Sequence, residues 1–136
     1  MSKVCVIYWS GTGNTQTMAE AVARGAGVGA TACEDFDAQT LGEYDAVAFG
    51  CPAMGDEELE EEVFGPVYEA CKPYLSGKRV ALFGSYGWGD GEWMRKWEQD
   101  CRDAGATLVC ESVICRETPD DEAVAACEKL GAALLG

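Results

Sequence analysis

The sequence predicts an α/β fold, a doubly wound parallel sheet with helices on both faces. Short apolar runs alternate along the chain with stretches in which apolar residues recur at helical spacing. The predicted order is βαβαβαβαβα, and such alternation is typical of parallel sheets. The first run, 3–9, is apolar almost throughout, as expected of a strand that is buried on both faces. A chain of 136 residues also predicts a single domain, 1–136.

The individual elements follow from apolar spacing and from helix start and stop signals. The strands are predicted at 3–9, 30–36, 46–50, 79–84 and 107–115. A first helix is predicted from Thr15, with Gly25 as its stop, and a second over 60–75, where Pro66 and Pro73 leave the ends uncertain. The last two helices are predicted over 92–104 and 120–135, the latter with Asp120 as its N-cap.

Charge and composition exclude several classes of function. The 24 Asp and Glu residues outnumber the 10 Lys and Arg residues, which gives a net charge of −14. Nucleic acids and anionic membranes attract basic surfaces, so we expect neither as a partner. The chain has no histidine, which excludes catalytic triads, Cys-His nucleophiles and His-ligated zinc or haem.

The eight cysteines are predicted to be free thiols. No two of them form a Cys-x-x-Cys motif of the kind that binds zinc or iron–sulfur clusters, and no metal site is expected. The N-terminus has no apolar export segment, and no run of eighteen apolar residues occurs. A cytoplasmic location with reduced, buried thiols is therefore expected, and a disulfide framework is the alternative.

The segment Ser10-Gly11-Thr12-Gly13-Asn14-Thr15 lies between the first strand and the first helix. Glycines let backbone N–H groups turn inward, and the helix N-terminus adds partial positive charge. The segment therefore predicts an anion site suited to a phosphate monoester, and an ordinary glycine-rich turn is the alternative. No Gly-Lys-Ser/Thr Walker sequence and no Gly-x-Gly-x-x-Gly dinucleotide motif is present.

Two further loops are expected at the same sheet edge, 51–57 and 84–91. Trp88 lies between glycines, and Met54 precedes Gly55. A large aromatic or thioether side chain on such a loop suits stacking on a flat ligand. Packing against the core is the alternative for Trp88, and for Met54 taken alone it is the favoured prediction. Together with the phosphate site, they favour a planar aromatic phosphate ester. Trp93 and Trp97, four residues apart, are predicted to be core residues.

The three loops in order, Ser10-Gly-Thr-Gly-Asn-Thr15, Gly50-Cys-Pro-Ala-Met-Gly-Asp-Glu57 and Gly84-Ser-Tyr-Gly-Trp-Gly-Asp-Gly91, resemble those of short-chain flavodoxins of the clostridial type. The resemblance covers the whole chain. It implies a flavodoxin-like doubly wound five-stranded parallel sheet with strand order 2-1-3-4-5. It also implies non-covalently bound FMN and a soluble, low-potential one-electron carrier that cycles between semiquinone and hydroquinone.

The resemblance also implies residue roles. The segment from Ser10 to Thr15 would hold the phosphate, Met54 and Trp88 would cover the two faces of the ring, and Gly55 and Glu57 would bind its N5 and N3 edges. Pro52 stands where some members have a serine near the phosphate. The implied cofactor-binding residues are Ser10, Gly11, Thr12, Gly13, Asn14, Thr15, Pro52, Ala53, Met54, Gly55, Asp56, Glu57, Ser85, Tyr86, Gly87, Trp88, Gly89 and Asp90.

Six carboxylates occur within the seven residues 56–62, with no basic residue among them. They indicate a solvated acidic helix start, a field that steers redox enzymes with basic docking surfaces toward the flavin edge, or both at once. No catalytic residue is identified, so an electron-transfer protein rather than an enzyme is expected. The chain is also expected to be a monomer. The alternatives are a small FMN-dependent reductase of the quinone reductase kind and an FMN-binding regulatory domain.

Overall fold

A computed structural model describes residues 3–11, 13–54, 58–87 and 91–135. Its centre is a parallel sheet in which the strands lie in the order β2-β1-β3-β4-β5, and β6 also pairs with β4. This order confirms the predicted topology. The strands are β1 (Val4–Tyr8), β2 (Ala30–Ala32), β3 (Ala46–Gly50), β4 (Arg79–Tyr86), β5 (Thr107–Leu108) and β6 (Val113–Arg116).

Four α-helices accompany the sheet in the described parts of the chain, and the last of them follows the final strand: α1 (Asn14–Ala26), α2 (Phe64–Cys71), α3 (Glu92–Asp103) and α4 (Asp121–Ala133). The alternation predicted a further helix between β2 and β3, and this was wrong. Two 3₁₀ segments, Cys33–Asp35 and Ala38–Glu43, make that connection instead. The predicted strand 30–36 is correspondingly shortened to Ala30–Ala32, because the chain turns at Cys33.

The sheet has a separate apolar core on each face, as alternating strand residues require. On β1, Val4 and Val6 pack with α1 and α4, whereas Cys5 and Ile7 pack with α2 and α3. Trp93 and Trp97 are buried on the α3 side, which confirms their prediction as core residues. All eight cysteines are free thiols, and six of them are buried.

Helices α1 and α4 pack closely through glycines. A Cβ built on Gly25 would lie 1.9 Å from the carbonyl oxygen of Glu128, and one built on Gly131 would lie 2.0 Å from that of Val22. The prediction of Gly25 as a helix stop was therefore wrong, because this residue is needed for the crossing of the two helices. The helix ends at Ala26, and Gly27, with a φ of 74°, is its C-cap.

The fifth strand of the prediction, 107–115, is interrupted. Leu108 lies opposite Val80 and Val113 lies opposite Phe83. The chain therefore advances five residues on this edge while β4 advances three. Two extra residues cannot remain in the ladder, and the chain bulges over 109–112. This interruption divides the fifth strand position into β5 and β6.

The remaining helix predictions differ from the structure mainly at their ends. Asp120 caps α4 by accepting the Ala123 N–H at 2.8 Å, as predicted. The stretch predicted as one helix over 60–75 forms α2 and a 3₁₀ turn, Lys72–Tyr74, in which Pro73 has no N–H to continue an α-helix.

Among the helices of the described residues, none combines the length and apolar character that crossing a membrane requires.

Candidate functional site

The carboxyl ends of β1, β3, β4 and β6 meet at one edge of the sheet, where ligands of doubly wound folds bind. The loops that follow β3 and β4 are joined by backbone hydrogen bonds. The Cys51 N–H donates to the Phe83 carbonyl oxygen at 3.2 Å, and the Ala53 N–H donates to that of Ser85 at 3.0 Å. These bonds bring together two of the three loops that the sequence indicated.

The first loop has the backbone of an anion site. Gly13 has a φ of 95° and is the N-cap of α1, and its N–H donates to the Ser10 hydroxyl at 3.0 Å. Side chains other than glycine strain this conformation, although no atom lies within 4 Å of a Cβ built there. The first-turn N–H groups of α1 consequently face the sheet edge with the positive end of the helix dipole.

A pair of buried hydroxyls links this loop to β4. The Thr15 and Ser85 hydroxyl oxygens are 3.0 Å apart, and the Ser85 N–H donates to the Thr15 oxygen at 3.4 Å. Thr15 is 0% exposed and Ser85 is 4% exposed. The pair therefore fixes the start of α1 against the end of β4, so that the first and third loops share an anchor.

Close backbone contact between β3 and β4 requires a second glycine. A Cβ built on Gly84 would lie 2.2 Å from the Cys51 carbonyl oxygen. The same carbonyl accepts the indole N–H of Trp93 at 3.3 Å. Gly84 and Trp93 thus position the chain where it leaves β3, and burial raises the pKa of the Cys51 thiol to about 12, which makes it unreactive at neutral pH.

A cavity of about 180 Å³ opens where the loops converge. Its wall includes six of the residues that the sequence indicated and one that it did not, Glu117. The six are Asn14, Pro52, Ala53, Ser85, Tyr86 and Gly87. Glu117 follows β6, which lies beside β4 as the predicted strand order requires, so that order was the signal that could have indicated this residue.

A neighbouring cavity of about 480 Å³ lies between Trp9, Met54 and the acidic segment 58–62. Met54 is 38% exposed, so the prediction that Met54, taken alone, packs in the core was wrong. Trp9 was not among the predicted site residues, although an aromatic residue directly before the glycine-rich first loop was a visible signal. A Cβ on Gly11 would lie 3.1 Å from the Trp9 ring, so the indole restricts this part of the loop.

Seven of the predicted cofactor-binding residues lie outside the described residues. They include the predicted ring-covering residue Trp88 and the predicted N5 partner Gly55. The full set is Thr12, Gly55, Asp56, Glu57, Trp88, Gly89 and Asp90.

The acidic segment is not uniformly exposed, which corrects the interpretation of its carboxylates as one solvated group. Glu60 is only 6% exposed, and its carboxylate accepts the N–H groups of Glu62, Val63 and Phe64, each at 2.7 Å. Burial opposes the charged form, but the three donors outweigh it and lower the pKa of Glu60. Glu60 therefore caps α2, whereas the Glu58, Glu61 and Glu62 side chains face solvent.

Comparison with known proteins agrees with this architecture. The family model described as flavodoxin matches residues 6–131. The chain belongs to the flavodoxin family. A flavodoxin from Megasphaera elsdenii is 44% identical over 133 residues, covering 94% of this chain and 95% of that protein. A flavodoxin from Clostridium beijerinckii is 45% identical over 121 residues, covering 85% of this chain and 88% of that protein.

A solved structure gives the same result for the fold. The solution structure of two-electron reduced Megasphaera elsdenii flavodoxin superposes with a TM-score of 0.87 at 43% identity, covering 96% of this chain and 97% of that one. Membership in the family makes the chain an FMN-binding electron carrier. The described residues fit this cofactor, because the positive-φ Gly13, the N-terminus of α1 and the cavity lie together at one edge.

Proposed function

We propose that this chain holds FMN at the carboxyl edge of its sheet and carries single electrons at low potential between enzymes with basic docking surfaces. The observation that carries the proposal is the convergence of the loops after β1, β3 and β4 on one cavity. FMN supplies the redox chemistry when it is bound, and the protein supplies binding and electrostatics. We assign no catalytic residue to the chain itself.

At the phosphate end, residues 10–15 would hold the anion through neutral donors. The segment contains no Lys or Arg. Hydroxyls, backbone N–H groups and the dipole of α1 are sufficient for this, as in other phosphate sites at helix N-termini. The buried Thr15–Ser85 pair supports the proposal because it fixes the start of that helix.

At the ring end, we propose that Met54 and Trp88 cover the two faces of the flavin, with Gly55 at its N5 edge and Glu57 at its N3 edge. The partial exposure of Met54 at this edge supports its part in the assignment. For Trp88, Gly55 and Glu57 the support is the resemblance of their loops to those of the family.

The charge of the chain supports the low potential. A net charge of −14 opposes the addition of negative charge at this edge, so that an electron held there is readily given up. The exposed carboxylates of Glu58, Glu61 and Glu62 border the cavity that contains Met54. They would steer basic partners toward the site and repel nucleic acid and anionic membranes. We propose that the chain works as a monomer in the cytoplasm, where its eight thiols remain reduced.

An anaerobic reductive titration followed by visible absorbance tests the proposal. We expect stoichiometric FMN and two separate one-electron steps, the second at the lower potential. Trp88→Ala should raise the second potential and weaken FMN binding by about 1–3 kcal/mol, because an electron-rich stacking partner is lost. A protein that binds no FMN, or that accepts both electrons together, would contradict the proposal; an unchanged FMN Kd in the variant would remove Trp88 from it.

A further inference from the structure

A cluster of aromatic rings connects the cavity at the sheet edge with α2. Tyr86 lines that cavity, and its ring centroid lies 5.6 Å from that of Trp93. Trp93 and Trp97 are four residues apart on α3, so their side chains lie on the same face of this helix. The ring centroid of Trp97 is 5.9 Å from that of Tyr68 on α2, with the two ring planes at 90°.

The far end of this cluster reaches the surface. Tyr68 is 2% exposed, and its hydroxyl donates to the Asp100 carboxylate at 2.8 Å. The Asp100 side chain is 42% exposed. Both residues line a cavity of about 760 Å³ between α2 and α3. The cluster therefore extends from the proposed cofactor edge to a second face of the protein.

The polar hydrogens of the three inner rings have different partners. The indole N–H of Trp93 donates to the Cys51 carbonyl oxygen at 3.3 Å, and an amide oxygen is a very weak base. The indole N–H of Trp97 is buried and has no acceptor among the described residues. The Tyr68 hydroxyl, in contrast, donates to a carboxylate. Of the three rings, Tyr68 is the one with a base in place to take its proton.

This difference determines where an oxidising equivalent would come to rest. A tryptophan that is oxidised but keeps its proton is a radical cation, and it oxidises a neighbouring ring more readily than a neutral radical does. Burial raises the pKa of Tyr68, so the phenol keeps its proton until it is oxidised. The Cys101 sulfur, 3.3 Å from the Tyr68 oxygen, is not a competing base, because burial raises the pKa of its thiol to about 11.

We propose that Trp93, Trp97 and Tyr68 carry an oxidising equivalent from the cofactor edge to the α2–α3 surface. The proposal rests on the proposed FMN site, because the oxidant is the isoalloxazine ring when light excites it. Trp93 gives one electron to that ring, and Trp97 gives one to Trp93. Tyr68 then gives one electron to Trp97 while its phenolic proton passes to Asp100. The ring has gained one electron, and the oxidising equivalent has left an edge where it would attack the thioether of Met54.

The ion pairs around Asp100 let it accept this proton. Lys72 Nζ lies 2.9 Å from Asp100 Oδ2 and 2.8 Å from Glu69 Oε2. When Asp100 becomes neutral, Lys72 keeps Glu69 as its counterion. Proton transfer from Tyr68 therefore leaves no cation without a partner.

Electron paramagnetic resonance of the illuminated, FMN-loaded chain tests the proposal. After blue light without oxygen and rapid freezing, we expect a tyrosyl radical, identified because ring-deuterated tyrosine narrows its signal. Tyr68→Phe should lose this signal and show a tryptophan radical instead. Tyr74→Phe is the matched control, because it makes the same change on a tyrosine that is 37% exposed, and it should keep the full signal.

Two further variants test the base and the middle of the cluster. Asp100→Asn keeps an oxygen that accepts the phenol hydrogen bond but is not a base, so the radical should stay on tryptophan. Trp97→Phe replaces the middle ring with one that is much harder to oxidise, so the tyrosyl signal should again be lost. The FMN Kd should stay at the native value in all four variants, because none of these residues lines the cavity where the loops converge.

The outcomes separate this proposal from the proposed function. A native chain that binds FMN but yields no tyrosyl radical overturns the relay alone. A tyrosyl signal that survives Tyr68→Phe, or that Asp100→Asn leaves unchanged, overturns it as well. A native chain that binds no FMN overturns the cofactor site and the relay with it.

Discussion

Glu60 should be a major determinant of the stability of α2, although it lies in a segment of like charges. Its carboxylate accepts three backbone N–H groups at 2.7 Å while being 6% exposed. In Glu60→Gln one acceptor oxygen becomes a donor that faces these N–H groups. Hydrogen bonds to charged groups contribute about 1.5–3 kcal/mol each, and replacing a capping side chain costs about 0.5–2 kcal/mol.

We therefore expect Glu60→Gln to lower the free energy of unfolding by about 2 kcal/mol. For a chain of this size, that corresponds to a fall of roughly 4–10 °C in melting temperature. Glu62→Gln is the matched control, because it makes the same chemical change two residues away on an exposed side chain. We expect its effect to be within about 0.5 kcal/mol of zero.

The effect of Glu60 should depend on pH with a definite sign. Its pKa is lowered in the folded protein from 4.5, so its charged form favours folding above that value. The contribution is lost as pH falls through the folded pKa. Urea denaturation of both variants and the native chain, at equal FMN excess and at pH 7 and pH 3, measures this. Equal stability of the two variants at pH 7, or a Glu60→Gln deficit that is as large at pH 3, would refute the reasoning.

Three further predictions concern other parts of the molecule. Gly131→Ala should destabilise the fold by about 1–3 kcal/mol in urea, because its Cβ would lie 2.0 Å from the Val22 carbonyl oxygen, whereas Gly29→Ala, with no atom within 4 Å, should not. Joint replacement of Glu58, Glu61 and Glu62 by Gln should slow the reduction of a basic acceptor in stopped-flow experiments. It should also make the rate less dependent on salt, because salt screens exposed charges beyond about 8–10 Å; native rates that do not respond to salt would contradict steering. Gly55→Ala should lower the first one-electron potential by an amount equivalent to roughly 1 kcal/mol, and Gly55→Thr should lower it further, because a Cβ resists a positive φ. Equal potentials of the variants and the native chain in a redox titration would remove the proposed role of Gly55 at the N5 edge.

Sequence alone was enough to predict the topology of the sheet and to indicate the loops that follow its strands at one edge. Apolar runs such as Val4–Tyr8 and Ala46–Gly50 carry their own signal, because a strand buried on both faces needs apolar residues throughout. The first loop also carries its own signal, because several glycine and hydroxyl residues directly before a helix are typical of an anion site. These features depend on neighbours in the chain, which is why they could be identified without tertiary information.

Features that depend on contacts between distant residues could not be predicted in this way. Gly25 resembles a helix stop in the sequence because glycine commonly ends helices. Its contact with Glu128 of α4 makes it a packing residue inside a helix instead. The interruption at 109–112 arises from a mismatch with β4, which only the pairing of the strands reveals.

The charges of the site show the same division. The sequence determined that carboxylates are concentrated over 56–62 and that the chain is acidic overall. Only the tertiary structure decided that Glu60 turns inward to three N–H groups, and that Glu117, 57 residues further along, lines the cavity at the sheet edge. The physical reason is that composition fixes how much charge a chain carries, whereas the packing of its elements fixes which of those charges solvent, backbone or ligand will meet.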